Sequence, residues 1–219
     1  MLEKKLQSYH CINLIIQIGF GENRLENIDE SKRTLSNIFD ELFCTYAEKH
    51  LLGSKIWGDK TPMNTLYLNW IGDVFPQSKF IHIIRDGRDV ASSYLKMERY
   101  DTILEAANRW TNSIELAQAF GSKIKDNYLE IRYEDLVTNP DKSIKKVCDF
   151  LDVVYNSDML DHISQVEKLG DTDKSHHANL SKPISSESIG KWKHNLSESD
   201  QESITRLLQN PLRRLGYVD

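Results

Sequence analysis

The chain has 219 residues, 39% of them hydrophobic and 28% charged, with a formal net charge of −5. That length builds one sizeable α/β core, and the acidic balance argues against a general nucleic-acid binder, so any basic site must be local. No apolar run approaches the roughly 18 residues of a membrane-spanning helix, and Cys11, Cys44 and Cys148 are odd in number, scattered and without metal-ligand spacing, which fits free thiols in a reducing, cytoplasmic setting.

In chain order, the opening MLEKKLQSYHCINLIIQIGFGEN has lysines and a short apolar run but no small-residue cleavage pattern, so it does not read as a signal peptide. Within it, residues 12–18 (INLIIQI) have the character of a strand, and residues 21–30 are polar and loop-like. From Ser31 onward, Leu35, Ile38, Phe39, Leu42, Phe43 and Tyr46 recur at helical spacing and predict an amphipathic helix. KIWGDK (55–60) predicts a short strand or extended segment, and Thr61-Pro62 an N-cap and first helical position. The helix behind them carries Leu66, Tyr67, Trp70, Ile71 and Val74 and stops at Pro76.

Next comes KFIHIIRDGRDVASSYLKM (79–97), which holds the main chemical signal. Phe80, Ile81, Ile83 and Ile84 read as a buried strand, and Asp86 or Gly87 starts a helix whose apolar face is Val90, Ala91, Tyr94 and Leu95. A strand, a tight turn and a helix N-terminus form an anion site by construction, because free backbone N–H groups and the helix dipole point at one place. Arg85 stands at the carboxyl end of the strand, where open α/β sheets bind ligands. Ser93 follows about two helical turns on, where a hydroxyl can join a guanidinium around one phosphate. The alternative is that Arg85 and Arg88 simply pair with Asp86 and Asp89 on a solvated turn.

A long helix is predicted from about Thr102 to Ile124, a short strand at YLEIRY (128–133), and a helix from Asn139-Pro140 through Ile144, Val147, Cys148 and Leu151. Residues 171–187 are polar and loop-like. After SIGKWKHNL, Ser197 or Ser199 caps a final helix through Ile204, Leu207 and Leu208. Trp57, Trp70, Trp110 and Cys148 read as core and His82 as a satisfied core histidine. His176 and His177 have no acidic partner at ligand spacing, so no metal site is expected. Strands alternate with helices throughout, which gives an α/β class with a mainly parallel sheet.

Four blocks, WGDKTPMN, FIHIIRDGRDVASSYLKM, YLEIRYEDLVTNP and SIGKWKHNLS, occur in the order found in sulfotransferases, and residues 50–216 resemble the bacterial branch related to tyrosylprotein and carbohydrate sulfotransferases. The resemblance implies a phosphate-loop-type α/β domain spanning 1–219, family-like over 51–216 and atypical or truncated over 1–50. It implies sulfuryl transfer from 3′-phosphoadenosine 5′-phosphosulfate (PAPS), as cosubstrate and without a metal, to a hydroxyl or amine of a carbohydrate, small molecule or peptide. By the same resemblance, Arg85 and Ser93 match the pair that binds the 3′-phosphate. Ser92 matches a neighbouring serine that in some members touches the catalytic region. Lys60 matches a lysine near the sulfuryl group and the bridging oxygen. Tyr133 matches a tyrosine that helps hold the nucleotide, and Lys191 a basic residue that closes over PAPS, with Trp192 packed beside it.

The family's opening phosphate loop, Pro-Arg-Ser-Gly-Thr-Thr, does not occur in this sequence. The nearest substitute is residues 14–24, an apolar run with Gly19, Gly21 and Arg24 but no Ser/Thr pair; the alternative is a lost or misassigned start of the chain. Without a loop of N–H donors around the 5′-phosphosulfate, residues 1–219 alone are expected to transfer no sulfuryl group measurably. A strand expected between FIHIIR and YLEIRY would also be missing, leaving bare edges. Two rival functions follow: a non-catalytic relative that binds adenosine 3′,5′-bisphosphate, and a nucleotide kinase, which would need a Walker loop that the sequence lacks.

Overall fold

The structure is a computed structural model, and it describes residues 29–50, 56–161, 163 and 182–219. The expected strand at 12–18, the glycine segment at 19–24 and most of the polar loop from 171, with His176 and His177, lie outside the described residues. The chain divides into two compact units, 1–76 and 77–219.

In the first unit the predicted amphipathic helix is α1, Leu35–His50, opened by the Thr34 hydroxyl, which accepts the Asn37 N–H at 3.3 Å. Trp57 stacks on Phe43 at 4.3 Å between ring centres and meets Phe75 edge-on at 5.6 Å, while its indole N–H donates to Asp40. Residues 56–60 are extended without strand pairing. Thr61 does not cap a helix directly. Its hydroxyl donates to Asp59, its carbonyl accepts the Asn64 N–H, and a 3-10 turn over Asn64–Leu66 intervenes before α2, Leu68–Val74. Proline at 62 favours such a tight turn because its φ is already fixed. Trp70, expected in the core, is 56% exposed.

The second unit is built on two parallel strands, β1 (Phe80–Ile84) and β2 (Tyr128–Arg132), paired in register from Phe80↔Tyr128 to Ile84↔Arg132. The two strands are direct neighbours, which corrects the expectation of a strand between them. The crossover that makes them parallel consists of α3 (Gly87–Lys96) and α4 (Ile103–Gly121), and a parallel pair needs a connection of that length. Thr102 and Glu105 form a capping box at the start of α4. One face of the sheet packs on α4: Phe80 meets Phe120 edge-on at 4.8 Å, and Ile84 is buried. Among the described residues the other face leaves Ile81 and Ile83 exposed, so β1 is not buried on both sides as its apolar run suggests.

Behind β2 the chain turns at once into α5 (Tyr133–Thr138), a helix that was not read from the sequence and that begins at the residue expected to end the strand, and then α6 (Pro140–Leu151), with Pro140 at its first position. Cys148 is buried on α6 as expected. The C-terminal part adds α7 (Trp192–Asn195), α8 (Glu198–Leu207, capped by Ser197) and α9 (Gln209–Arg214). Ile204, Leu208 and Leu212 from this part join Ile84, Ala91, Ala106, Ala107, Trp110 and Ile114 in one core. Small residues on α3 and α4 allow that close approach. A Cβ on Gly87 would stand 2.7 Å from Trp110 and Leu208. The core thus seats the first turn of α3 against the C-terminal helices, and the candidate site is built there.

Candidate functional site

The turn between β1 and α3 is a network of charges, and most of its donors and acceptors are already committed to one another. Asp86 caps α3 by accepting the Arg88 N–H at 2.9 Å, and its carboxylate also grips the Arg88 guanidinium, with Nη2 at 2.7 Å. The Asp86 N–H donates to Glu134 Oε1 at 3.0 Å, and Glu134 Oε2 accepts the Tyr217 hydroxyl at 2.9 Å. Burial, and then the Glu134 carboxylate, push the Tyr217 phenol above the usual tyrosine range. Two backbone donors expected to serve an anion are therefore occupied by carboxylates of the protein itself. The pairing of Arg88 with Asp86 and of Arg85 with Asp89 is real, but it is not a solvated surface feature. Asp86 and Asp89 are 8% and 2% exposed, and buried carboxylates persist only when hydrogen-bonded and paired.

Asp89 ties this turn to the segment before α7. Its Oδ2 accepts the Gly190 N–H at 2.8 Å and its Oδ1 accepts the Trp192 N–H at 2.9 Å. Arg85 Nη2 donates to the Ser188 carbonyl and lies 3.8 Å from Asp89 Oδ2. Trp192 is buried, with the Arg88 guanidinium 4.4 Å over its ring. Gly190 has φ +72°, the left-handed region that glycine enters without strain. The block Gly-Lys-Trp is thereby held on the first turn of α3, and Lys191 comes with it.

What remains uncommitted is informative. Arg85 Nε and Ser92 Oγ are buried without a hydrogen-bond partner among the described residues, and orphaned buried polar atoms are uncommon enough to call for an explanation. Ser92 and Ser93 stand three and four residues beyond Asp89, on the same side of α3. Among the described residues the Ser93 hydroxyl reaches only the Met97 sulfur, at 3.7 Å. Tyr133 lies with its ring 4.7 Å under the Arg85 guanidinium, and its hydroxyl has no partner among the described residues. Lys191 is exposed, and its ammonium group also lacks a partner there. The structure thus brings Arg85, Tyr133, Lys191 and Trp192 to one end of the sheet, with the two serines on the adjoining helix. Lys60 lies in the first unit, exposed beside Asp59, which anchors both the Thr61 hydroxyl and the Asn64 amide.

Sequence reading offered Asp86 as a helix start and Asp86 and Asp89 as arginine partners, but missed the tie of Asp89 to Gly190 and Trp192 and the roles of Glu134 and Tyr217. The i, i+4 spacing of Arg85 and Asp89 was the available signal for one pair; nothing local in sequence links Asp89 to Gly190 or Glu134 to Tyr217. Away from this turn, His82 is satisfied as expected. Its Nδ1 is 2.7 Å from the Tyr128 hydroxyl and 3.4 Å from Glu130, and burial pulls its pKa below the usual histidine value against the opposing pull of Glu130.

A parallel β-pair with a helical crossover and a basic cluster at its carboxyl end defines an α/β domain. Its fold is that of two solved sulfotransferase domains, from the Synechococcus PCC 7002 olefin synthase and from the curacin biosynthetic pathway. The TM-scores are 0.66 and 0.62 at 20% identity, with 90% of this chain and 74% and 77% of theirs covered. The model of the sulfotransferase family matches residues 9–157, well over half of the chain, and the chain belongs to that family. The match begins ahead of the first motif block, so residues 19–24 fall within it. Among curated proteins, the chain is 25% identical to protein-tyrosine sulfotransferase 1 of Danio rerio over 91% of its own length, and 23% identical to protein-tyrosine sulfotransferase A of Caenorhabditis elegans over 89%. It spans 59% and 53% of the lengths of these two relatives.

Proposed function

We propose that this domain transfers a sulfuryl group from PAPS to a hydroxyl once a phosphate loop completes the 5′-phosphosulfate site, with the Arg85 cluster holding the 3′-phosphate of the donor. The observation that carries this reading is the pair of orphaned buried polar atoms, Arg85 Nε and Ser92 Oγ, at the strand end of a sulfotransferase-family fold. A phosphate there meets a charge-assisted donor on Arg85, hydroxyls on Ser92, Ser93 and Tyr133, and the charge of Lys191. In the reaction the bond from sulfur to the leaving phosphate oxygen breaks as a bond from sulfur to the acceptor oxygen forms, and the acceptor loses its proton. Negative charge grows on the leaving oxygen, and Lys60 is proposed to meet it; a group acting only on that developing charge raises turnover more than affinity. The named relatives act on protein tyrosine, which supports a tyrosyl hydroxyl of a peptide as the acceptor. A cytoplasmic location belongs to the same proposal and rests on the scattered free cysteines.

A second reading, binding of adenosine 3′,5′-bisphosphate without catalysis, is favoured by the lack of a Pro-Arg-Ser-Gly-Thr-Thr segment in the sequence. Radiolabelled PAPS, offered with tyrosyl peptides, carbohydrates and small phenols, separates the two. It is run on the chain and on a chimera carrying a family phosphate loop ahead of it. Label transfer by either protein supports the first reading. Nucleotide binding with no transfer by both supports the second, and absence of nucleotide binding overturns both.

A further inference from the structure

Asp89, in the first turn of α3, reaches across to the Gly-Lys-Trp segment through both its oxygens, and a ligand-binding role does not explain it. Its side chain is 1% exposed, so it meets no solvent. Each carboxylate oxygen accepts one backbone N–H, from Gly190 and from Trp192, and these flank Lys191 on either side. A carboxylate accepting two backbone N–H groups in the first turn of a helix also interacts favourably with the dipole of that helix. Arg85, whose Nη2 lies 3.8 Å from the same carboxylate, donates to Ser188 of the same segment. The arginine read as the phosphate ligand and the lysine read as its partner are thus fixed by one buried anion.

We infer that Asp89 is a positioning residue: its carboxylate clasps residues 188–192 to α3 and so holds Lys191 and the Arg85 guanidinium at one distance for a phosphate. This rests on the functional reading above. The clasp is a contact between a negative side chain and neutral N–H donors, so it needs the charge of Asp89 and not only its shape. Asparagine at 89 keeps the volume, but its NH2 group would face one of the two N–H donors. Gly190 offers a second handle that leaves α3 untouched. A methyl group there meets nothing within 4 Å, yet the residue sits at φ +72°, so Gly190→Ala strains only the segment.

The test uses the full chain and two readouts. Amide hydrogen exchange in the absence of nucleotide reads the clasp. Asp89→Asn is expected to speed exchange at Gly190 and Trp192 about tenfold or more while leaving the Ile84 and Ile131 amides unchanged. Calorimetry with adenosine 3′,5′-bisphosphate reads the positioning. Asp89→Asn is expected to weaken binding about tenfold (about 1.4 kcal/mol), and by a smaller factor in a Lys191→Ala background, because only the part that acts through Arg85 remains there. Gly190→Ala is expected to give the same pattern at smaller amplitude, which keeps the test decisive if Asp89→Asn does not fold. Exchange unchanged at Gly190 and Trp192, or nucleotide losses that add fully with Lys191→Ala, overturns the inference. A wild-type chain that does not bind the nucleotide overturns the functional reading instead.

Discussion

Replacing Gly87 by alanine tests how tightly the site is seated on the core. The new methyl carbon would lie 2.7 Å from Trp110 Cδ2 and Cε3 and from Leu208 Cδ1, closer than real Cβ contacts come. Trp110 is 4% exposed and Leu208 1%, so neither has room to retreat. Trp110 is also tied by its indole N–H to the Arg85 carbonyl at 3.1 Å. Overpacking of this kind costs about 1–3 kcal/mol, and alanine returns up to about 1 kcal/mol as the better helix former. With both buried neighbours fixed, the cost lies at the upper end of that range, and the net loss of about 1–2 kcal/mol lowers Tm by about 2–8 °C for a chain of this size. Because the strain passes through Trp110 to Arg85, affinity for adenosine 3′,5′-bisphosphate falls as well. Thermal unfolding and calorimetry check both effects. Gly58→Ala is the control: nothing lies within 4 Å of a Cβ there, and a change within about 0.5 kcal/mol is expected. A Gly87→Ala protein as stable as the wild type would refute the packing argument.

Gly121→Ala places a methyl 2.4 Å from the Tyr128 ring and is expected to lower Tm by a similar margin in the same assay. Tyr217→Phe removes the hydroxyl that donates to Glu134 and is expected to cost about 1 kcal/mol in urea unfolding, since a half-buried carboxylate loses a donor. His82 has its pKa lowered by burial, so the unfolded chain binds the proton more readily than the folded one. Stability from this group is present above the unfolded value near 6.5 and is lost as pH falls from there toward the folded pKa. His82→Gln is expected to flatten that part of the urea-midpoint profile between pH 8 and pH 5. In the chimera carrying a family phosphate loop, Lys60→Ala is expected to lower kcat in the transfer assay while nucleotide affinity holds; an affinity loss with turnover intact would make Lys60 a binding residue only.

The strongest local signals in the sequence became elements almost unchanged. The apolar run Phe80–Ile84 became β1, the break at Asp86 became an N-cap, and Thr102 with Glu105 became a capping box. These depend on neighbours a few residues away, which periodicity and capping rules read well. What was not legible depends on partners far along the chain. Asp89 reads as a helix-surface charge until Gly190 and Trp192 arrive 101 and 103 residues later. Ile81 and Ile83 read as buried because an apolar run does not say which faces are covered. The direct pairing of β1 with β2 is likewise a long-range choice. Arg85 and Tyr133 were both marked as site residues from motif resemblance, but their stacking under one guanidinium required the fold.

The central claim is that Arg85 reads a 3′-phosphate, and calorimetry of the wild type and Arg85→Ala with adenosine 3′,5′-bisphosphate and with AMP tests it most directly. The two nucleotides differ only in that phosphate, so whatever they share in base, ribose and 5′-phosphate contacts cancels. Loss of a charged hydrogen-bonding partner is expected to weaken the bisphosphate by about 1.5–3 kcal/mol, roughly tenfold to a hundredfold. AMP binding is expected to change by less than about threefold, its site lacking the group that Arg85 would hold. An equal loss for both nucleotides, or a wild-type chain that binds them with the same affinity, would contradict the account.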